Sequence, residues 1–299
     1  MSSETLETLS NAFADSVEKA GNSTVMVSGR RRMPSTGIVY ASDLVITANH
    51  TIEKEEDVKI ILPDGSSQSA NLAGRDPARD IALLRLKESN LSLPVTSQKT
   101  ARIGEMVLAL GRPDENGLQA SLGVVSAIGG PVRTPMGGML DKYLRSDTFP
   151  FPGFSGGPLI SASGNLIGMN TSGLAMDTLI TIPIDVLWPA AEVLAAHGHI
   201  RRPYLGVRSQ NVNLASAQQD ALGRKQDTGL LLVSLEENSP ADSAGLMVGD
   251  ILVGVNQQPV ADHETLQIVL NNLSVGSQIP VEVLRGGKPG IFQVKLGER

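Results

Sequence analysis

The chain has 299 residues, 41% of them hydrophobic, a net charge of −6 and no cysteine. That length is more than one small core serves, so two domains are expected. Without cysteine there can be no disulfide, thiolate nucleophile or cysteine-bound metal, and 3% aromatic residues with no broad basic field argue against a nucleic-acid partner.

Residues 3–20 read as an amphipathic helix, with Leu6, Leu9, Phe13 and Val17 at helical spacing and Glu4 and Glu7 suiting its N-terminal dipole. The opening residues show neither a cationic start nor an apolar run. The expectation is a cytoplasmic protein if the chain is complete, and a periplasmic or extracellular one if a targeting segment is missing. Strand signals follow at 24–27, 37–40, 58–62, 106–110 and 122–125, with turn signals such as Pro63-Asp64-Gly65 and Ser163-Gly164-Asn165 separating them. Many short strands with few helices between them predict barrels or a sandwich. Arg30-Arg31-Arg32 lies between two strand signals and reads as a solvated loop.

The apolar stretch from Thr178 to Ala196 is broken by Pro183, Asp185, Pro189 and Glu192, so it is no membrane span. Asp185 is expected to cap a helix from Val186 to about Ala196, with Gly198 as its stop. A second unit begins near Arg201, which places a boundary at about residue 200.

Three segments carry chemistry. His50 ends the apolar run Leu44-Val45-Ile46-Thr47-Ala48-Asn49, Asp80 opens Ile81-Ala82-Leu83-Leu84, and Ser155 lies in Gly153-Phe154-Ser155-Gly156-Gly157-Pro158-Leu159. A hydroxyl is a weak nucleophile near neutral pH. It needs a base within reach, and the base needs a carboxylate to hold its tautomer. The glycines around Ser155 permit a sharp turn with N–H groups aimed at a developing oxyanion. Blander readings exist: a glycine-rich turn with an incidental serine, and a structural histidine. Gly153-Phe154-Ser155-Gly156-Gly157 also fits the nucleophile elbow of α/β-hydrolases, but that motif requires a helix directly after the serine, where this sequence reads as a β-hairpin. Asp76, four residues before Asp80, precedes Pro77 and reads as a turn residue. His197 and His199 lie at a helix end without a third ligand in evidence and read as solvated, so no metal site is expected.

Thr47-Ala48-Asn49-His50, Asp76-Pro77-Ala78-Arg79-Asp80-Ile81-Ala82-Leu83-Leu84 and Pro152-Gly153-Phe154-Ser155-Gly156-Gly157-Pro158-Leu159 resemble the active-site signatures of the HtrA (DegP-type) serine proteases. Their separations of 30 and 75 residues are similar to that family's as well. The resemblance implies a mainly β architecture: a chymotrypsin-like double β-barrel protease domain over 1–200, including the N-terminal helix, then an α+β PDZ domain over 201–299. It implies an ATP-independent endopeptidase acting on unfolded or damaged proteins, with His50, Asp80 and Ser155 as triad, the N–H groups of Gly153 and Ser155 as oxyanion hole, and no cofactor. It also implies a homo-oligomer, a trimer, and a relay from the PDZ domain to the loop at 129–139.

This sequence departs from its relatives at Phe154, where they commonly carry Asn, and in the run Phe149-Pro150-Phe151-Pro152. Two prolines there either pre-set the oxyanion hole or hold it unproductive. The unproductive case would leave a proteolytically silent peptide-binding or holdase protein. The S1 candidates are Phe151, Phe154, Thr171 and Ser172. No acidic residue lies between Thr148 and Phe154, which disfavours Arg or Lys at P1. In the second unit Tyr204-Leu205-Gly206-Val207 resembles a PDZ carboxylate-binding loop. His263 either contacts a ligand Ser or Thr, as in class I PDZ domains, or is solvated in a capped helical turn.

Overall fold

The computed structural model describes residues 3–87, 90–114, 116–136, 138–175 and 179–298. They form two compact units, Met1–Ile200 and Arg201–Arg299. The first opens with α1 (Ser3–Gly21), followed by β1 (Thr24–Ser28), β2 (Ser35–Ala41), β3 (Leu44–Ala48), β4 (Val58–Ile61), β5 (Ser67–Asp76) and β6 (Ile81–Leu86). These six strands close into an antiparallel barrel in the order β1-β2-β3-β6-β5-β4.

β3 and β6 are apolar on both faces, and the reason is positional. Successive side chains of a strand point to opposite sides. Val45, Ala82 and Leu84 fill the barrel interior beside Val25, Val39, Val58 and Ile60. Leu44, Ile46, Ile81 and Leu83 point the other way, into a separate buried layer with Met169, Ile180, Ile182 and Leu187. The two strands therefore run along a seam, and their register (Ala48 opposite Ile81) leaves residues 49–50 and 80 side by side at its end.

The second barrel is built from β7 (Met106–Gly111), β8 (Gln119–Gly129), β11 (Tyr143–Ser146), β12 (Pro158–Ser161), β13 (Leu166–Thr171) and β14 (Ile180–Pro183), closed as β11-β14-β13-β12-β7-β8. A small pair, β9 (Val132–Arg133) and β10 (Met139–Leu140), lies in the connection between β8 and β11. The barrel core holds Val107, Ala109, Val125, Leu144, Phe154, Leu159 and Ile167. After Ser155 the chain enters a strand, not a helix, which removes the α/β-hydrolase reading.

α2 (Ile184–His197) covers the seam with Leu187, Ala190, Ala191 and Leu194. Its N-cap is Pro183, without a side-chain cap bond; Asp185, expected there, sits inside the first turn and accepts from Lys142 Nζ at 2.7 Å. The strand β14 runs straight into the helix, so no room is left for a polar cap residue. Gly198 ends the helix in the left-handed region at φ 77°. The first turns of α1 expose Leu6 and Leu9, while Phe13 and Val17 pack on Ala20, Leu108, Leu110 and Ile160.

The second unit contains β15 (Pro203–Tyr204), β16 (Val207–Asn213), α3 (Ser216–Leu222), β17 (Thr228–Leu235), α4 (Pro240–Ser243), β18 (Ile251–Val255), β19 (Gln258–Pro259), α5 (His263–Asn271), β20 (Gln278–Arg285), β21 (Lys288–Lys295) and β22 (Gly297–Glu298). Its main sheet runs β16-β17-β18-β20-β21. β16 is an edge strand with an unpaired side, and α5 packs Leu266, Val269 and Leu270 into the core under the sheet. Among the described residues no helix is long and apolar enough to cross a membrane.

Candidate active site

The seam between the barrels brings His50, Asp80 and Ser155 to one stretch of chain, Thr171-Ser172-Gly173. Asp80 is held hardest. It is buried, with a backbone φ of 58° that a non-glycine residue adopts only when its surroundings insist. Its Oδ1 accepts the backbone N–H of His50 at 2.7 Å, and its Oδ2 faces His50 Nδ1 at 2.8 Å. The Thr171 hydroxyl donates to the same Oδ2, and the Asp80 carbonyl accepts from Asn49 N–H at 3.1 Å. A carboxylate so placed fixes both the tautomer of the imidazole, with the proton on Nδ1, and the direction of its ring. Asp76, in contrast, accepts from the N–H groups of Ala78 and Arg79 and belongs to the turn.

Gly173 completes this corner. A Cβ there would sit 2.5 Å from Asp80 Oδ2 and 2.6 Å from His50 Nδ1, so no side chain fits without moving the pair. Ser155 meets the same stretch one residue earlier. Its Oγ lies 3.0 Å from Ser172 Oγ and accepts the Ser172 N–H at 3.2 Å. Among the described residues no hydrogen bond joins the His50 ring to the Ser155 hydroxyl.

The turn before Ser155 has a defined type. Phe154 N–H donates to the Phe151 carbonyl at 3.1 Å, and Gly153 has φ 85°. Proline at the second position and glycine with positive φ at the third are the requirements of a type II turn. Within the described residues the N–H groups of Gly153 and Ser155 have no acceptor, so two donors stand free beside the serine.

Phe154 offers nothing to a substrate. It is 0% exposed, packed in the second barrel's core, and touches the backbone position of Gly111. Phe151 is 40% exposed and lies between Phe149 and Phe154, with ring centroids 4.6 and 5.4 Å away. Of the four S1 candidates, then, Phe151 keeps an accessible ring, Phe154 is core, Thr171 is fully buried with its hydroxyl on Asp80, and Ser172 contacts Ser155. Asn170, also buried, leaves its Nδ2 without a partner among the described residues. Among the described residues no group of three or more His, Cys, Asp or Glu is arranged to hold a metal.

A trypsin-like peptidase domain model matches residues 35–169, and a PDZ domain model matches 203–296. A protein of Pseudomonas savastanoi pv. phaseolicola named "probable periplasmic serine endoprotease DegP-like" is 33% identical over 269 residues, which cover 88% of this chain and 55% of that protein. One of the same name from Halomonas elongata is 31% identical, covering 91% and 58%. The chain thus spans about half the length of the curated relatives it matches. Among solved structures, the serine endoprotease from Yersinia pestis aligns with a TM-score of 0.75 at 26% identity, over 96% of this chain and 98% of that one. The HtrA-type protease AlgW with a tripeptide aligns at 0.73 and 26%, over 96% and 97%.

This chain belongs to the HtrA-type serine proteases. It carries the peptidase domain and one PDZ domain of that family on a mainly β, double-barrel fold.

In the HtrA-type PDZ unit, Tyr204 lies in β15, Leu205 is buried in the core, Gly206 has φ 78°, and Val207 starts the edge strand β16. The N–H groups of Leu205 and Gly206 have no acceptor among the described residues. A Cβ on Gly206 would collide with the Ser239 side chain, so glycine is required by space as well as by φ. His263 heads α5 and places Nε2 3.0 Å from Ser209 Oγ and 3.1 Å from the Ser209 carbonyl. It faces the edge strand, a placement that the first-turn sequence alone left open. Asp262 caps that helix by accepting from Thr265 N–H and Oγ1, both at 2.8 Å.

The contacts of Thr171 and Gly173 with the His50–Asp80 pair had no sequence signal of their own. They come from a strand about ninety residues downstream of Asp80.

Proposed function

We propose that this chain is an ATP-independent serine endopeptidase that cleaves unfolded or damaged polypeptides through an acyl-enzyme. Ser155 is the nucleophile, His50 the general base and then acid, and Asp80 the group that orients His50 and stabilises its imidazolium. The observation that carries this reading is the Asp80 carboxylate, gripping His50 at both backbone and ring, with Ser155 on the adjoining residue of the same strand end.

Catalysis requires the Ser155 hydroxyl to turn from Ser172 to the free Nε2 of His50. Attack on a peptide carbonyl then puts negative charge on its oxygen, within reach of the Gly153 and Ser155 N–H groups. One such donor is worth about 3–4 kcal/mol in the transition state. His50 passes the proton to the leaving amine, and a water repeats the sequence to release the acid. Phe151 and the absence of an acidic side chain in the loop support an apolar P1 residue.

The free donors in a type II turn count against the silent-holdase alternative. The PDZ unit binds polypeptide C-termini: the carboxylate meets the Leu205 and Gly206 N–H groups, and the peptide adds as a strand on β16. The relatives' names, which call them periplasmic, support a periplasmic setting over a cytoplasmic one. Oligomerisation as a trimer is part of the same reading, with exposed Leu6 and Leu9 on α1 as candidate contacts.

The test is casein digestion by the wild type beside Ser155→Ala. Digestion by the first alone supports the reading; equal background digestion by both overturns it.

A further inference from the structure

The two N–H groups assigned to the oxyanion hole belong to the peptides 152–153 and 154–155. Between and after them lie the peptides 153–154 and 155–156, and each of these is tied at both ends. In the first, Phe154 N–H donates to the Phe151 carbonyl at 3.1 Å, and the Gly153 carbonyl accepts from Thr36 Oγ1 at 2.7 Å. In the second, Gly156 N–H donates to the Asn170 carbonyl at 2.8 Å, and the Ser155 carbonyl accepts from Thr36 N–H at 3.1 Å. One residue therefore holds the carbonyl end of both peptides. It reaches across from β2 of the first barrel.

Thr36 has no freedom of its own. It is fully buried, its hydroxyl also accepts the Arg112 N–H at 2.8 Å, and its carbonyl accepts from Thr47 Oγ1 at 2.7 Å. Its N–H, hydroxyl and carbonyl are thus all engaged, and the hydroxyl's one proton goes to the Gly153 carbonyl. A buried polar group with all its bonds made is rigid, and a rigid donor can hold its acceptor against rotation. The Gly153 peptide needs such a hold, because glycine tolerates φ of either sign and a turn of the other type would redirect its N–H. Arg112 extends the connection to the end of α1. Its Nε donates to the Thr24 carbonyl at 2.8 Å, and a second guanidinium nitrogen reaches the Gly21 carbonyl at 3.4 Å.

We infer that Thr36 is a positioning residue of the protease, an inter-barrel clamp whose hydroxyl keeps the Gly153 and Ser155 N–H groups aimed at the developing oxyanion. It touches no substrate and acts through the turn it holds. The inference rests on the proteolytic reading above. Thr36→Val keeps the shape and the backbone bond to Ser155 but removes the hydroxyl. Loss of a whole oxyanion donor costs roughly 10²–10³ in kcat, and a misaimed pair costs less, about 10- to 100-fold.

The experiment measures kcat and KM on a short peptide substrate for the wild type, Thr36→Val and Thr36→Ser, together with the inhibition constant of a peptide aldehyde that forms a tetrahedral adduct. The expected result is a fall in kcat with KM held within about twofold, an equal loss of aldehyde affinity, and recovery in Thr36→Ser, since only differential transition-state binding is lost. If Thr36→Val does not fold, Thr36→Ala against Thr36→Ser makes the same comparison. Wild-type kcat in Thr36→Val, a loss that serine fails to restore, or a loss carried by KM overturns the role of Thr36 while an active wild type keeps the proteolytic reading intact. A silent wild type that no fluorophosphonate labels sinks both.

Discussion

The two ends of the cleft are held differently. At the His50–Asp80 end each polar atom of the carboxylate is in use: two bonds to His50 and one from the Thr171 hydroxyl, with Gly173 leaving no space for drift. At the Ser155 end the backbone turn is fixed, but the hydroxyl rests on Ser172. A base must be oriented before substrate arrives, because misorientation wastes its tautomer. Among the described residues the Ser155 hydroxyl is held only by Ser172, through its hydroxyl and its N–H. The base is thus the more firmly held of the two, and the nucleophile's side chain the less.

The contrast breaks most severely at Asp80. Asp80→Asn keeps the shape and loses the charge and the tautomer control, so kcat on a peptide substrate should fall by about 10⁴. Next is Gly173→Ala. Its methyl must enter space 2.5 Å from Asp80 Oδ2 and 2.6 Å from His50 Nδ1, and a displacement of that order costs about 10² in kcat. Steady-state kinetics at constant pH read both effects, and a fall of less than twofold in Gly173→Ala would show that the corner yields.

Ser172→Ala should act in the opposite direction. It removes one modest hydrogen bond holding the Ser155 hydroxyl away from His50, so the rate of serine acylation should rise by about two- to tenfold. Stopped-flow acylation by an activated ester measures it, and a lower rate would mean that Ser172 assists the attack. The smallest effect lies outside the cleft. Asp262→Ala removes the cap of α5 and should cost about 1 kcal/mol on denaturant unfolding of the PDZ unit. The Thr265 N–H holds the Asp262 carboxyl below the ordinary carboxylate value of 3.8. Its stabilisation is therefore full above that pH and fades as the pH falls below it, so the gap between variant and wild type should close in acid.

Much of this was readable before folding. The segments around His50, Asp80 and Ser155 are short and local, and each states its own turn chemistry, as does Gly198 at the end of α2. What could not be read is tertiary. Phe154 sits between Gly153 and Ser155 in a loop, and nothing local tells a core ring from a pocket wall; only the closure of the second barrel buries it. The sequence offers Thr171 and Ser172 only as S1 candidates, because their partners at 80 and 155 are set by how one barrel docks along the other. The same holds for Thr36, a strand residue of ordinary composition whose contacts lie 117 residues away. The cap of α2 departs from expectation for a simpler reason: Asp185 is a good cap residue, but β14 passes directly into the helix at Pro183.

The most direct test is labelling with a fluorophosphonate followed by peptide mapping, in the wild type and in His50→Ala. One adduct per chain on Ser155, formed orders of magnitude more slowly in the variant, is the predicted result. An unlabelled wild type, or equal rates in the two proteins, would contradict the claim that His50 and Asp80 activate Ser155.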